Sequence, residues 1–250
     1  MPDQELKGRV AVITGAGRSI GRAMALELAA GGAAVVVNVR QNRAEAEAVV
    51  KAIEAIGGQA MVALADVVDA AAVNAMAKAT LDRLGRIDYL INNVALRAEQ
   101  TIEHMTFEDW RRITGAVLDG SFLCVKACLE AIKKSDAGSI INVGGLTGAM
   151  GAPDRCHVVT AKAGVAGFSR ALAMELSPYK ITVNTLVPSM LAKPDKPSEI
   201  PPHPIYRPLL GRASWPEDFA PLTRFLVGPG ARYITGQTIN VNGGTYFGGA

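Results

Sequence analysis

Short apolar runs and longer stretches of helical spacing alternate along the chain. Seven runs read as strands: 10–14 (VAVIT), 33–39 (AAVVVNV), 60–64 (AMVAL), 87–93 (IDYLINN), 139–143 (SIINV), 181–188 (ITVNTLVP) and 238–241 (TINV). They are rich in β-branched residues and apolar at nearly every position, the pattern of strands covered on both faces. Between them Ile20, Met24 and Leu28 recur every fourth residue, Val49, Val50 and Ile53 share a helical face, and so do Val73, Met76, Ala77 and Leu84. Strand–helix alternation closes through right-handed parallel crossovers. The predicted fold is therefore α/β: a Rossmann-type doubly wound parallel sheet of seven strands with helices on both faces. At 250 residues and 49% hydrophobic, the chain suits one such domain over 1–250.

One stretch breaks the rhythm. Residues 189–213 carry Pro194, Pro197, Pro201, Pro202 and Pro204, which forbid a long helix or a central strand. It is expected to be a loop at the carboxyl edge of the sheet, where open α/β sheets bind ligands, and so to cover a bound molecule. The net charge of +3 comes from 26 basic and 23 acidic residues scattered along the chain, with 5% aromatics and no basic run, which argues against nucleic acid as a partner. No apolar run approaches the ~20 residues of a membrane span, and the opening MPDQELKGRV lacks the apolar core of a signal peptide. A cytoplasmic protein is expected. Cys124, Cys128 and Cys156 show no ligand spacing with the three histidines, so they read as reduced packing residues and no metal is expected.

The first strand ends in Thr14-Gly15-Ala16-Gly17-Arg18-Ser19-Ile20-Gly21 and runs into a helix. Glycines at 15, 17 and 21 let the backbone turn sharply and approach a pyrophosphate, while the helix N-terminus offers unpaired N–H groups to the anion. Further on stand Asp66-Val67 after the third strand, Asn92-Asn93 at the end of the fourth, Lys162 in a later helix, and Thr235-Gly236-Gln237 through Val241-Asn242-Gly243-Gly244.

In this order, from Thr14 to Gly244, the segments resemble the short-chain dehydrogenase/reductase family. Its TGxxxGxG loop is matched at Thr14, Gly15 and Gly21, with Ser19 in place of the middle glycine; Val94-Ala95 replaces Ala-Gly in its NNAG stretch. The resemblance implies a nicotinamide dinucleotide held by Gly15, Gly17, Arg18, Ser19, Ile20, Gly21, Arg40, Asp66, Val67, Asn93, Lys162 and Pro188. NAD binders of this type place an acid at the end of the second strand for the ribose hydroxyls. Here Val39 stands there, followed by Arg40, and Arg18 adds a second guanidinium with no competing carboxylate in view. Two such forks suit the 2′-phosphate of NADP(H).

The nicotinamide end departs from the pattern. The family's tyrosine, four residues before Lys162, falls on Val158; its serine falls on Gly145, its asparagine on Val117, and the Gly of a Pro-Gly pair on Ser189 after Pro188, with Lys193 where a threonine is usual. His157 is the candidate replacement acid or base beside Lys162, since imidazole titrates near neutrality. At about 100° per residue its side chain diverges from Lys162 by roughly 140° if both lie in one helix, so the pairing requires the helix to start after 157. Asp154, Cys156, Thr160, Arg97, Glu99 and Tyr206 stand near the same rim. The leading reading is an NADP(H)-dependent oxidoreductase for a small carbonyl or alcohol with a rearranged proton relay. Beside it stand a non-redox lyase, dehydratase or isomerase using His157 and Lys162, and a non-catalytic subunit or nucleotide sensor. A long helix over 106–134, opened by the capping pattern Thr106-Phe107-Glu108-Asp109, is apolar around more of its girth than one sheet-facing stripe needs. Relatives pair through it and the Lys162 helix, which implies a homodimer or homotetramer, or a hetero-oligomer with an active paralogue.

Overall fold

Seven parallel strands form one sheet in the order β3-β2-β1-β4-β5-β6-β7. They are β1 (Val10–Ile13), β2 (Ala34–Val39), β3 (Ala60–Leu64), β4 (Tyr89–Asn92), β5 (Ser139–Val143), β6 (Thr182–Pro188) and β7 (Thr238–Val241). The computed structural model describes residues 4–192 and 207–248. Every predicted strand is present; β3, β5 and β7 keep their expected bounds, and the fourth run is shortened at both ends by side-chain chemistry. Asp88 leaves the fourth run to accept the Val10 amide at 2.9 Å, and Asn93 leaves it to donate its own amide to Thr14 Oγ1 at 2.9 Å.

The helices are α1 (Ser19–Ala30), α2 (Arg43–Ala55), α3 (Ala70–Leu84), α4 (Phe107–Thr114), α5 (Gly120–Ile132), α6 (Leu146–Met150), α7 (Cys156–Leu176) and α8 (Ala220–Val227). Their starts are fixed locally. Asp69 Oδ1 accepts from Ala71 and Ala72, Asn42 Oδ1 from Glu45, and Thr106 Oγ1 from Asp109 at 3.0 Å, so orphan first-turn amides are satisfied. The expected helix 106–134 runs unbroken from Phe107 to Ile132, with a change of hydrogen-bond pattern in the middle. A π-helical segment, Gly115–Asp119, lies between α4 and α5 and directs Val117 into a small apolar cluster with Ala161 and Val165 of α7. Inserted turns of this kind are frequent at functional sites.

One face of the sheet buries Met24 and Leu28 of α1, Val49 and Ile53 of α2 and Leu226 of α8. The other buries Val73 and Met76 of α3, Cys124, Cys128 and Ile132 of α5, and Leu172 and Leu176 of α7. Cys124 and Cys128 are free thiols in that core, and burial pushes Cys124 up to about 12, out of reach of thiolate chemistry at neutral pH. At the amino edge, fully buried Asp88 ties down Arg9, Arg86 and Ser135. β1 has β2 on one side and β4 on the other, so the connections leave it in opposite directions and open a crevice at their carboxyl ends.

Part of the expected covering loop, residues 193–206 with Lys193, Tyr206 and the five prolines 194, 197, 201, 202 and 204, lies outside the described residues. Its two described ends meet at the carboxyl edge: Ala192 donates its amide to Ser214 O at 2.7 Å, and Ser214 donates to Met190 O at 3.0 Å.

Candidate active site

The glycine loop turns out of β1 and is clamped from two sides. Asn93 Nδ2 donates to Thr14 O at 3.0 Å and Gly15 O at 3.1 Å, tying the loop to the end of β4. Asn38, fully buried in β2, accepts the Gly15 amide at 3.4 Å and donates to Ala63 O and Ala65 O, joining three strand ends. Gly15 sits at φ +63° and Ser19 at φ +50°, left-handed conformations that cost a serine about 1–2 kcal/mol and a glycine almost nothing. A side chain on Gly21 would drive into Gly15 O and approach Asn93 Nδ2 to 2.7 Å, so only glycine lets α1 pack this close. Arg18, the residue before α1, makes no side-chain cap, and the first turn of α1 has no acidic residue. The amide groups of that turn are therefore free to meet an anion.

At the adenosine corner Arg18 and Arg40 are both exposed. The expectation of no competing carboxylate is corrected here. Arg40 Nη1 lies 4.0 Å from Asp66 Oδ2, and Glu45 of α2 reaches under the loop, its Oε2 3.2 Å from where a Gly17 side chain would start. The cause is the α2 helix, whose first turn folds back to the end of β2, a contact invisible in sequence order. Asp66 also accepts the Val68 amide at 3.2 Å, while Val67 is buried against Gly120.

At the other end of the crevice Lys162 is buried in α7, with its Nζ donating to Val143 O at 2.8 Å. Its aliphatic stem fills the space beside Gly145, where an added Cβ would stand 3.3 Å from Lys162 Cγ. Burial, reinforced by the nearby charge of Arg97, pulls its pKa down to about 8. Pro188 closes β6 alongside, and Leu146, Met150, Val187, Met190 and Tyr246 make an apolar patch at the ends of β5 and β6. His157 does not join Lys162. Because α7 starts at Cys156, His157 is already helical and points away by roughly 140°. It is fully buried, and neither ring nitrogen has a hydrogen-bond partner. Val158, a turn before Lys162, is half-buried and has no proton to exchange.

A family model described as enoyl-(acyl carrier protein) reductase matches residues 15–246. The chain belongs to the short-chain dehydrogenase/reductase family. A 3-oxoacyl-(acyl-carrier-protein) reductase of Synechocystis sp. is 42% identical over 241 residues, covering 96% of this chain and 97% of the relative. One of Staphylococcus aureus is 36% identical over 239 residues, covering 94% and 97%. Among solved structures, a dehydrogenase/reductase from Sinorhizobium meliloti superposes with a TM-score of 0.91 at 30% identity, covering 98% and 97% of the two chains. A short-chain dehydrogenase from Burkholderia cenocepacia in complex with NADP superposes at 0.89 with 28% identity, covering 96% and 99%.

Within this short-chain dehydrogenase/reductase frame, sequence reading overlooked Asn38 as the post that holds the glycine loop. Its signal was available: an amide in an otherwise apolar, doubly covered strand needs buried partners. It also overlooked the chain Asn92–Asn142–Ser169–Thr185, linked at 2.8, 2.9 and 2.8 Å across β4, β5, α7 and β6. No helix among the described residues is long and apolar enough to cross a membrane, and no group of three or more His, Cys, Asp or Glu there could hold a metal.

Proposed function

We propose that this chain is an NADP(H)-dependent oxidoreductase acting on a small carbonyl or alcohol, in which Lys162 replaces the usual tyrosine as the proton-carrying group. The observation behind this is the buried Lys162 ammonium beside the end of β5, bonded to Val143 O, with a pKa near 8 and no phenol a turn before it. The glycine loop, the uncapped start of α1 and the two exposed guanidiniums fit a dinucleotide carrying a 2′-phosphate, and the Burkholderia relative was solved in complex with NADP. When bound, the nicotinamide supplies or takes the hydride. Gly15, Gly17, Ser19, Ile20 and Gly21 would seat the pyrophosphate. Arg18 and Arg40 would grip the 2′-phosphate, Arg40 exchanging its 4.0 Å contact with Asp66 for it. Asp66, Val67 and Asn93 would border the adenine and ribose side, and Pro188 the nicotinamide side. Lys162 Nζ would bond the nicotinamide ribose and pass a proton to the carbonyl oxygen as hydride reaches the carbon; in the reverse direction it takes that proton back. A pKa near 8 makes it competent for both at physiological pH.

The test is NADPH consumption against a panel of small ketones and aldehydes. Lys162→Met should lower kcat at least a hundredfold while NADPH still binds. Full activity in that variant would refute the role. Carbonyl reduction in the native protein should fall as pH rises through about 8, where Lys162 loses its proton.

The same reading extends to assembly. Phe107 at 76% exposure, Phe122 at 50% and Met174 at 81% leave large apolar side chains on α4, α5 and α7 facing outward. A second copy of this chain covers them in the proposed homodimer or homotetramer.

A further inference from the structure

We propose that Ser169 is a positioning residue for Lys162: it pins α7 to the last rung of the β4–β5 ladder and so sets where the lysine ammonium stands. For turnover this rests on the Lys162 reading above; for the placement of Lys162 it does not. Pairing of β4 with β5 ends at Asn92 opposite Asn142. The next amide after β4, that of Asn93, turns to Thr14 Oγ1 at 2.9 Å, so β4 offers Val143 O no donor, and Val143 O takes the Lys162 ammonium at 2.8 Å. Lys162 therefore reaches the first carbonyl beyond the rung.

Side chains tie that rung to α7. Asn92 Nδ2 donates to Asn142 Oδ1 at 2.8 Å, and Asn142 Nδ2 donates to Ser169 Oγ at 2.9 Å. Thr185 of β6, opposite Asn142 in the sheet, donates to the same Ser169 Oγ at 2.8 Å, and Ser169 in turn donates to Val165 O at 2.9 Å. Ser169 Oγ thus accepts two bonds and donates one, and Asn92, Asn142, Ser169 and Thr185 are all buried. Sliding or turning α7 would leave buried donors of two strands without an acceptor, which is costly where water cannot replace it. Among the described residues these bonds, with that of Lys162 itself, are the hydrogen bonds that join α7 to β5 and β6. Ser169 follows Lys162 by two turns on the same face of α7, so the contact that fixes one fixes the other.

The experiment follows the isotope-labelled lysine Cε signals of the full chain by NMR across pH, Lys162 being the signal missing from Lys162→Met. The native midpoint is expected near 8. In Ser169→Ala the helix is released, the ammonium gains water, and the midpoint should climb toward 10.5; Ser169→Thr, whose hydroxyl can make the same bonds, should bring it back. Thr185→Val, which loses only the bond from β6, should leave it near 8. Carbonyl reduction should follow the same order, with kcat at neutral pH down about fivefold or more in Ser169→Ala, KM within about twofold, and the decline of kcat moved to higher pH. A Ser169→Ala protein that is merely less stable, with the Lys162 midpoint and the pH profile unchanged, would overturn the proposal. Should that variant not fold, Ser169→Ala combined with Thr185→Val, which orphans only the Asn142 donor, gives the same readout. If no carbonyl is reduced, the redox reading fails and the titration alone decides: a midpoint raised in Ser169→Ala upholds the positioning role, and an unchanged one refutes it.

Discussion

Two buried ionisable side chains on the first turns of one helix behave oppositely, and the difference is partnership. Lys162 has a carbonyl at 2.8 Å, whereas both nitrogens of His157 lack partners. An unsatisfied buried imidazole costs about 1–3 kcal/mol. His157→Phe should therefore hold or raise stability, by up to about 1 kcal/mol after repacking, and leave turnover within a factor of two; a large loss of kcat would restore His157 as an acid or base. For Lys162 the sign runs the other way from a paired lysine. Its folded pKa near 8 lies below its ordinary value of 10.5, so the fold bears the full cost of the buried charge below pH 8 and is relieved as pH rises toward 10.5. Urea unfolding of the native protein and Lys162→Met should thus show the variant ahead by a few kcal/mol at pH 7 and the gap narrowing by pH 9.5. A constant gap would mean that Lys162 is not buried as a charge.

Elements were the most legible level. The continuous apolar runs announced doubly covered parallel strands, and the four-residue spacing of Ile20, Met24 and Leu28 announced α1, whose Met24 and Leu28 are fully buried. What the sequence hid were contacts between elements far apart in the chain. Glu45 swinging under Gly17, the start of α7 at Cys156, and the π-helical segment at Gly115–Asp119 all depend on how neighbouring layers press on each other. The clamp on the glycine loop is a property of this level too. Gly21→Ala should cost about 2–3 kcal/mol, because the new methyl meets Gly15 O and Asn93 Nδ2. Asn38→Leu should cost a comparable amount and weaken nucleotide binding, by freeing the Gly15 amide and two strand carbonyls. Thermal unfolding with and without NADPH reads both effects; unchanged nucleotide binding in Asn38→Leu would mean that Asn38 does not shape the glycine loop for the nucleotide.

For the whole molecule, the sheet separates its tasks by end. The amino edge is closed by Asp88 with Arg9 and Arg86, and Asp88→Ala should lose about 1–3 kcal/mol by leaving the buried Val10 amide without an acceptor and the part-exposed Arg9 and Arg86 without their shared partner, with no direct effect on the crevice. The carboxyl edge carries the glycine loop at one end and Lys162 at the other. The adenosine side was readable because a glycine loop has a local signature, whereas Val158, Gly145 and Val117 carry no ionisable or hydrogen-bonding side chain from which a role could be read. Whether this crevice holds NADP(H) is read by a fluorescence titration with NADPH and, separately, NADH. Micromolar binding of NADPH, weaker binding of NADH, and loss of that preference in Arg40→Ala are expected; binding of neither nucleotide would mean that the crevice does not hold NADP(H).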